Sequence, residues 1–276
     1  MIDRKKCVGC GNCISWCPVG AIYLDRFNTA AEIDQDTCVE CNNCFRNLRS
    51  EGYPPRLVRL IRRVAWANGL VYDHKHKLDV CPTGALLKPE LQWPRSVREV
   101  FSDLTIVKPT GMQGRGTEEV KTNEVTGRMK EDEVGFTFDM GRPGLGVRFT
   151  EVEKMTTALA AVGVKFEENN PLTQLMIDIR TGKFREDILK ERVLSCIIEI
   201  KVKAQQVPGV LDVIKQLSET IDTVFSVGIM APYTKGGTLT YPSMVREMGL
   251  VLSPNGKVNL GFGRPNVTVA NGGELN

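Results

Sequence analysis

Eight cysteines fall within the first 81 residues, and their spacing is the first feature of the sequence able to do chemistry. Residues 7–18 read CVGCGNCISWCP: three cysteines two residues apart, then a fourth after three more, then a proline. Residues 38–44, CVECNNC, begin the same phrase again. Disulfides suit small secreted chains, whereas MIDRKKC at the N-terminus shows no apolar leader, so metal is the better reading of these thiols. Zinc usually takes two separate C-x2-C knuckles; the C-x2-C-x2-C-x3-C-P run is iron–sulfur spacing. A cubane needs soft thiolates at four corners, and a tight loop with a cysteine at every third residue supplies three of them.

The second phrase lacks its fourth cysteine until the residues behind Cys17 are compared with those behind Cys81. CPVGAI (17–22) and CPTGAL (81–86) are one element repeated, with 36 residues, 45–80, inserted ahead of the second copy. Gly9, Gly11 and Asn12 permit the cysteine loop to turn, and Asn42 and Asn43 take the corresponding places in the second run.

On these motifs, residues 1–90 resemble the bacterial two-cluster ferredoxin domain. In that domain the fourth cysteine of each run ligates the other run's cluster. The resemblance therefore implies one 4Fe-4S cluster on Cys7, Cys10, Cys13 and Cys81, and a second on Cys17, Cys38, Cys41 and Cys44. The insertion departs from the family pattern and leaves the path to Cys81 open.

Within the insertion, Pro54 and Pro55 precede RLVRLIRRVAW, which places Leu57, Leu60, Ile61 and Val64 on one helical face and Arg59, Arg62 and Arg63 largely on the other. Residues 45–80 hold eight Lys and Arg against three acidic residues, a local excess of +5 in a chain whose total is +3. Such a run reads either as a solvated face or as a docking surface on Arg59, Arg62 and Arg63 for an acidic redox partner or a larger catalytic subunit. His74 and His76 read as exposed loop residues, Trp16 and Trp66 as packing around the clusters, and Cys196 as a small buried hydrophobe.

Beyond residue 92 the composition changes. Residues 93–133 are polar, glycine-rich and weakly periodic, which suits an extended connector. The loops GMQGRGT and GRPGLG, with Arg115 and with Arg142 or Arg148, could cradle a phosphate or a flavin, although neither matches a dinucleotide fingerprint; flexible loops are the plainer reading. Residues 134–232 alternate as β-α-β-β-β-α-β, predicting a ferredoxin-like α+β sandwich in residues 134–276, and Asn255-Gly256 signals a C-terminal hairpin. The fold class expected is α+β throughout.

No nucleophilic triad, zinc-protease motif, Walker loop or paired-carboxylate motif is present. No apolar run reaches the roughly 18 residues a membrane span needs, and +3 is too mild to suggest nucleic acid. The expectation is a cytoplasmic electron carrier that passes low-potential single electrons through two 4Fe-4S clusters, as the electron-delivery subunit of an anaerobic oxidoreductase. The run GRGTEEVKTNEVTGR with the following GRPG loop resembles anaerobic iron–sulfur proteins of the 6-hydroxynicotinate reductase type. That resemblance implies an alternative: a self-contained reductase of an activated ring, possibly carrying flavin.

Overall fold

A computed structural model describes residues 1–27, 29–69, 79–103, 127–142, 144–239 and 241–253. The chain mixes helix and strand, and its contacts form two compact units that do not follow chain order. One comprises Met1–Gly114 with Pro143–Arg148 and Lys190–Leu194; the other comprises Arg115–Arg142, Phe149–Leu189 and Ser195–Asn276.

The first unit is built on short elements. Strands β1 (Ile22–Leu24) and β2 (Ala31–Ile33) form an antiparallel hairpin directly behind the CPVGAI phrase, with Ile22 opposite Ile33. The corresponding residue behind CPTGAL, Leu86, bridges antiparallel to Ile2. Helix α1 (Asn43–Arg46) follows the second cysteine run. The insertion leaves through β3 (Arg49–Ser50), continues as helix α2 (Pro55–Ala67) and returns through β4 (Val80–Cys81), which pairs parallel to β3 and sets Cys81 opposite Ser50. That pairing brings the late cysteine home. Proline at the start of α2 and Asn68-Gly69 at its end are ordinary helix limits, Gly69 taking φ +67.

Residues expected to form an extended connector begin instead with a helix, α3 (Ser96–Ser102). Val97, Val100 and Phe101 are buried at i, i+3 and i+4, a period that the polar average of residues 93–133 conceals. Against α3 lies a two-strand ribbon of β6 (Val147–Arg148) and β10 (Arg192–Val193). The Leu194 amide donates to Ser102 Oγ at 2.9 Å, fastening the ribbon to α3.

In the second unit, β5 (Glu133–Met140), β7 (Lys165–Phe166), β11 (Cys196–Lys203) and β12 (Phe225–Met230) form one sheet in the order β12-β5-β11-β7, every neighbouring pair antiparallel. Helices α4 (Phe149–Ala161) and α5 (Val207–Ser218) contact each other and bury Val152, Met155, Leu159, Val210, Leu211 and Ile214. Phe136 and Phe138 of β5 are fully buried and their rings are stacked, 6.0 Å between centroids. Cys196 is fully buried on β11, as its setting in VLSCIIEI suggests.

Between β7 and β11 the regular alternation of elements lapses. LTQLMIDIR is a single 3-10 turn, Thr173–Leu175, followed by β8 (Met176–Asp178), which pairs with β9 (Lys183–Phe184) outside the main sheet. FREDILKER is one 3-10 turn, Glu186–Ile188, rather than a helix. Local side-chain bonds are the reason: Asp178 Oδ1 accepts from the Arg180 amide at 3.0 Å and Glu153 Oε2 from the Phe184 amide at 2.7 Å. The expected Asn255-Gly256 hairpin lies outside the described residues.

Candidate metal centres

The two cysteine loops repeat each other atom for atom more closely than their sequences do. Cys7 donates its amide to Asp3 O at 2.8 Å, and Cys38 does the same to Asp34 O at 2.9 Å. Each aspartate also accepts from the amide two residues on, Lys5 and Asp36, at 2.9 Å. These Asx turns start both loops. They are legible as IDRKKC and IDQDTC, an aspartate four residues before each first cysteine, and sequence reasoning passed over them.

Inside the loops, Gly9 and Gly11 take φ +65 and +80, and the corresponding Glu40 and Asn42 take +55 and +57. Asparagine tolerates this region; a glutamate there is strained and needs external support. Arg95 supplies it, its Nε donating to Glu40 Oε1 at 2.8 Å. Asn43, expected to share in the turn, begins α1 instead.

The second loop is held from α3. Arg98 Nη1 donates to the carbonyls of Gln35, Asp36 and Cys38, and its Nε pairs with Glu191. Asn42 Nδ2 donates to Glu99 Oε1 at 2.9 Å and Asp103 Oδ2 at 3.1 Å, while Arg46 bridges Asp103 and the Cys41 carbonyl. Of these carriers of loop geometry, Arg95, Arg98, Glu99 and Asp103 lie in residues that composition alone marks as a connector.

The first loop is held from the insertion. Asn12 Nδ2 donates to the Val80 carbonyl at 2.9 Å, tying the loop to the strand that carries Cys81. From α2, Arg59 Nη2 donates to the Lys5 and Cys7 carbonyls at 3.0 and 2.9 Å, and Arg62 Nη1 donates to the Val8 carbonyl. Arg59, Arg62 and Arg63 are the residues read above as a docking surface. Two of the three guanidiniums are turned inward onto carbonyls that bracket Cys7, and Arg63 alone stays exposed.

Two cavities result. One, with about 360 Å³ of atom-free space including open solvent, is lined by Cys7, Cys10, Cys13 and Cys81. The other, about 510 Å³ on the same measure, is lined by Cys17, Cys38, Cys41 and Cys44. Among the described residues no three Cys, His, Asp or Glu side chains converge as a single-ion site would. Leu48 stands four residues after Cys44, where an uninterrupted run would place its fourth cysteine, and it lines the first cavity beside Cys81.

Both cavities are lined by buried or half-buried thiols. Burial pushes the Cys13 thiol up to about 12 and the Cys38 and Cys41 thiols up to about 11, with further elevation from neighbouring thiols or, at Cys38, from Glu40. Burial raises Cys10 and Cys44 as well. A metal bound by these cysteines would displace the thiol protons. The Ala21 and Ala85 amides donate to Cys17 Sγ and Cys81 Sγ at 3.1 and 3.3 Å, at the same place in each repeat, and the Ala31 amide donates to Cys7 Sγ at 3.2 Å. Thr83 lines the first cavity, is buried, and its Oγ1 has no hydrogen-bond partner among the described residues. A hydroxyl left so would gain an acceptor from a cluster sulfide or thiolate.

Other candidates part from the site. Trp16 packs beside the cysteine core and lines the second cavity, but Trp66 is 84% exposed and lines neither cavity. In the GRPGLG loop, a Cβ on Gly144 would meet the Pro18 carbonyl at 3.1 Å, and one on Gly146 the Val193 carbonyl at 2.9 Å, so these glycines permit close backbone packing. Arg142 pairs with Asp139 and Arg148 with Asp36. His74, His76, GMQGRGT with Arg115, and most of GRGTEEVKTNEVTGR lie outside the described residues.

Comparison with known proteins finds relatives for part of this chain. Over 45 residues the chain is 46% identical to pyruvate synthase subunit PorD of Methanocaldococcus jannaschii, covering 16% of this chain and 51% of that one. Over 61 residues it is 34% identical to pyruvate synthase subunit PorD of Methanothermobacter marburgensis, covering 22% and 63%. The chain thus spans between half and two thirds of the length of these curated relatives. No solved structure matches it. Residues 1–47 match the 4Fe-4S dicluster domain, and the ferredoxin-type iron–sulfur domain expected from the cysteine spacing is present there.

Proposed function

We propose that this chain is an iron–sulfur electron-transfer protein acting as the electron-delivery subunit of an oxidoreductase complex. One 4Fe-4S cluster is held by Cys7, Cys10, Cys13 and Cys81 and the other by Cys17, Cys38, Cys41 and Cys44. The observation that carries this reading is the pair of cavities, each lined by one complete interleaved set of four cysteines. Such clusters supply reversible one-electron storage, at potentials tuned by burial, charge and hydrogen bonds to sulfur. The chain's own residues position the thiols, exclude water and direct amides at Cys7, Cys17 and Cys81. The subunit role draws on the relatives, which are named as pyruvate synthase subunits. The larger C-terminal part, from about residue 134, is the assembly surface in this proposal; its strand order β12-β5-β11-β7 is compatible with a split β-α-β sandwich.

Anaerobic purification with iron and sulfide analysis tests it. About eight irons per chain, falling to about four in Cys81→Ala, is the expected result. Undiminished iron in Cys81→Ala would remove Cys81 from the ligand set. Stoichiometric flavin on the isolated chain would replace the carrier with a self-contained reductase.

A further inference from the structure

Helix α2 is inside out. Its arginines 59 and 62 point into the protein onto the loop of Cys7 and Val8, while Leu57, Leu60, Ile61 and Val64 lie 47, 58, 39 and 54% exposed. A surface helix normally buries its apolar stripe and solvates its charges. Only Val58 and Ala65 of α2 are buried, small contacts beside the four large aliphatic residues left outside. These four recur at i, i+3, i+4 and i+7, so they form one continuous ridge.

The charges carried by α2 itself are all positive. Arg56 and Arg63, seven residues apart along one flank, are exposed, as are Lys5 and Lys6 on the loop that Arg59 grips. The helix contains no Asp or Glu, and among the described residues none of these four cations is paired with a carboxylate. Apposition of two such helices would bring like charges together, which disfavours a second copy as the occupant. An apolar centre with a cationic rim fits a protein surface with an apolar centre and a carboxylate rim.

Resting on the two-cluster reading above, we propose that the outer face of α2 is the docking site for an acidic redox protein, seated over the first cluster. The ridge lies one helix diameter, about 10 Å, from the loop that carries Cys7 and Cys10. Arg59 and Arg62 join the docking helix to that loop, so the seated partner and the first cluster share one rigid support. The steps exchanged are single electrons: the reduced first cluster loses one and the partner's cofactor gains it. Steering by Arg56, Arg63, Lys5 and Lys6 governs encounter, and the aliphatic ridge governs how long the complex lasts.

The test uses the full chain, chemically reduced, with a flavodoxin as the acidic one-electron probe and benzyl viologen as a small acceptor that needs no docking surface. Stopped-flow electron transfer to flavodoxin is expected to slow as ionic strength rises. Arg56→Gln with Arg63→Gln should slow it about tenfold at low salt and flatten the salt dependence. Leu60→Gln with Ile61→Gln should slow it at every salt concentration. Benzyl viologen reduction and iron content should be unchanged in both. Unchanged flavodoxin rates in both variants, with about eight irons retained, would overturn the docking proposal while leaving the two-cluster reading intact. A wild-type dimer that Leu60→Gln with Ile61→Gln converts to monomer would overturn it in favour of a second copy. Fewer than eight irons in the wild type would instead refute the two-cluster reading.

Discussion

Thr83 distinguishes the two otherwise repeated halves of the cysteine domain. Its place in CPTGAL corresponds to Val19 in CPVGAI, and both side chains line their cavities. A hydroxyl donating to a cluster sulfide or thiolate stabilises the more negative, reduced state, so it raises the reduction potential. Thr83→Val should therefore lower the midpoint of the first cluster alone, and Val19→Thr should raise that of the second, read by potentiometric titration with spin-signal detection. Equal midpoints in wild type and both variants would show that the hydroxyl faces no cluster atom. Glu40 makes a similar point about conformation: a left-handed glutamate is not predictable from propensity, and only its bond to Arg95 explains it. Asp3 and Asp34 were readable in principle, because their spacing from Cys7 and Cys38 is the same.

At the scale of elements, α2 and α3 perform the same task on opposite loops. Each sends arginine donors onto backbone carbonyls of the cysteine loops, Arg59 and Arg62 to the first loop and Arg98 to the second. Cations beside a cluster favour its reduced form, so Arg59→Gln with Arg62→Gln should lower the first midpoint and leave the second unchanged. For α3 the critical contact is apolar. Phe101 is fully buried, and Phe101→Ala should cost about 3–5 kcal/mol of stability. The expected outcome is a lower denaturation midpoint with earlier loss of the second cluster, followed by its visible absorbance. The presence of α2 was legible in RLVRLIRRVAW, but its orientation was not: periodicity states which residues share a face and is silent on which face meets the protein. For α3 even the presence was hidden, since seven helical residues were averaged into a polar stretch of 41, 93–133.

For the molecule as a whole, the parallel pairing of β3 with β4 lets a 36-residue excursion end where the compact motif would have continued. Leu48 marks that point in the first cavity. Adding Leu48→Cys to Cys81→Ala should raise iron above the roughly four atoms left by Cys81→Ala alone, because the new thiol enters the same cavity. Iron analysis of the pair checks this, and no recovery would place Leu48 out of reach of the cluster. In the second unit, Gly182 at φ +71 leaves no room for a side chain, a Cβ coming within 2.5 Å of the Thr156 carbonyl oxygen; Gly182→Ala should lower the melting temperature measurably.

What the sequence determined by itself was the iron–sulfur character of the N-terminal domain, through soft thiol donors in iron–sulfur spacing and the repeat of CPVGAI as CPTGAL, since metal preference follows from donor type and local separation. The larger helices and central strands of the second unit were also legible, because long periodic segments carry their own signal. Tertiary structure alone decided that the α2 arginines point inward and that 143–148 and 190–194 join the cysteine-bearing unit. Each of these depends on contacts between residues far apart in the chain, and local spacing holds no record of which distant surfaces meet.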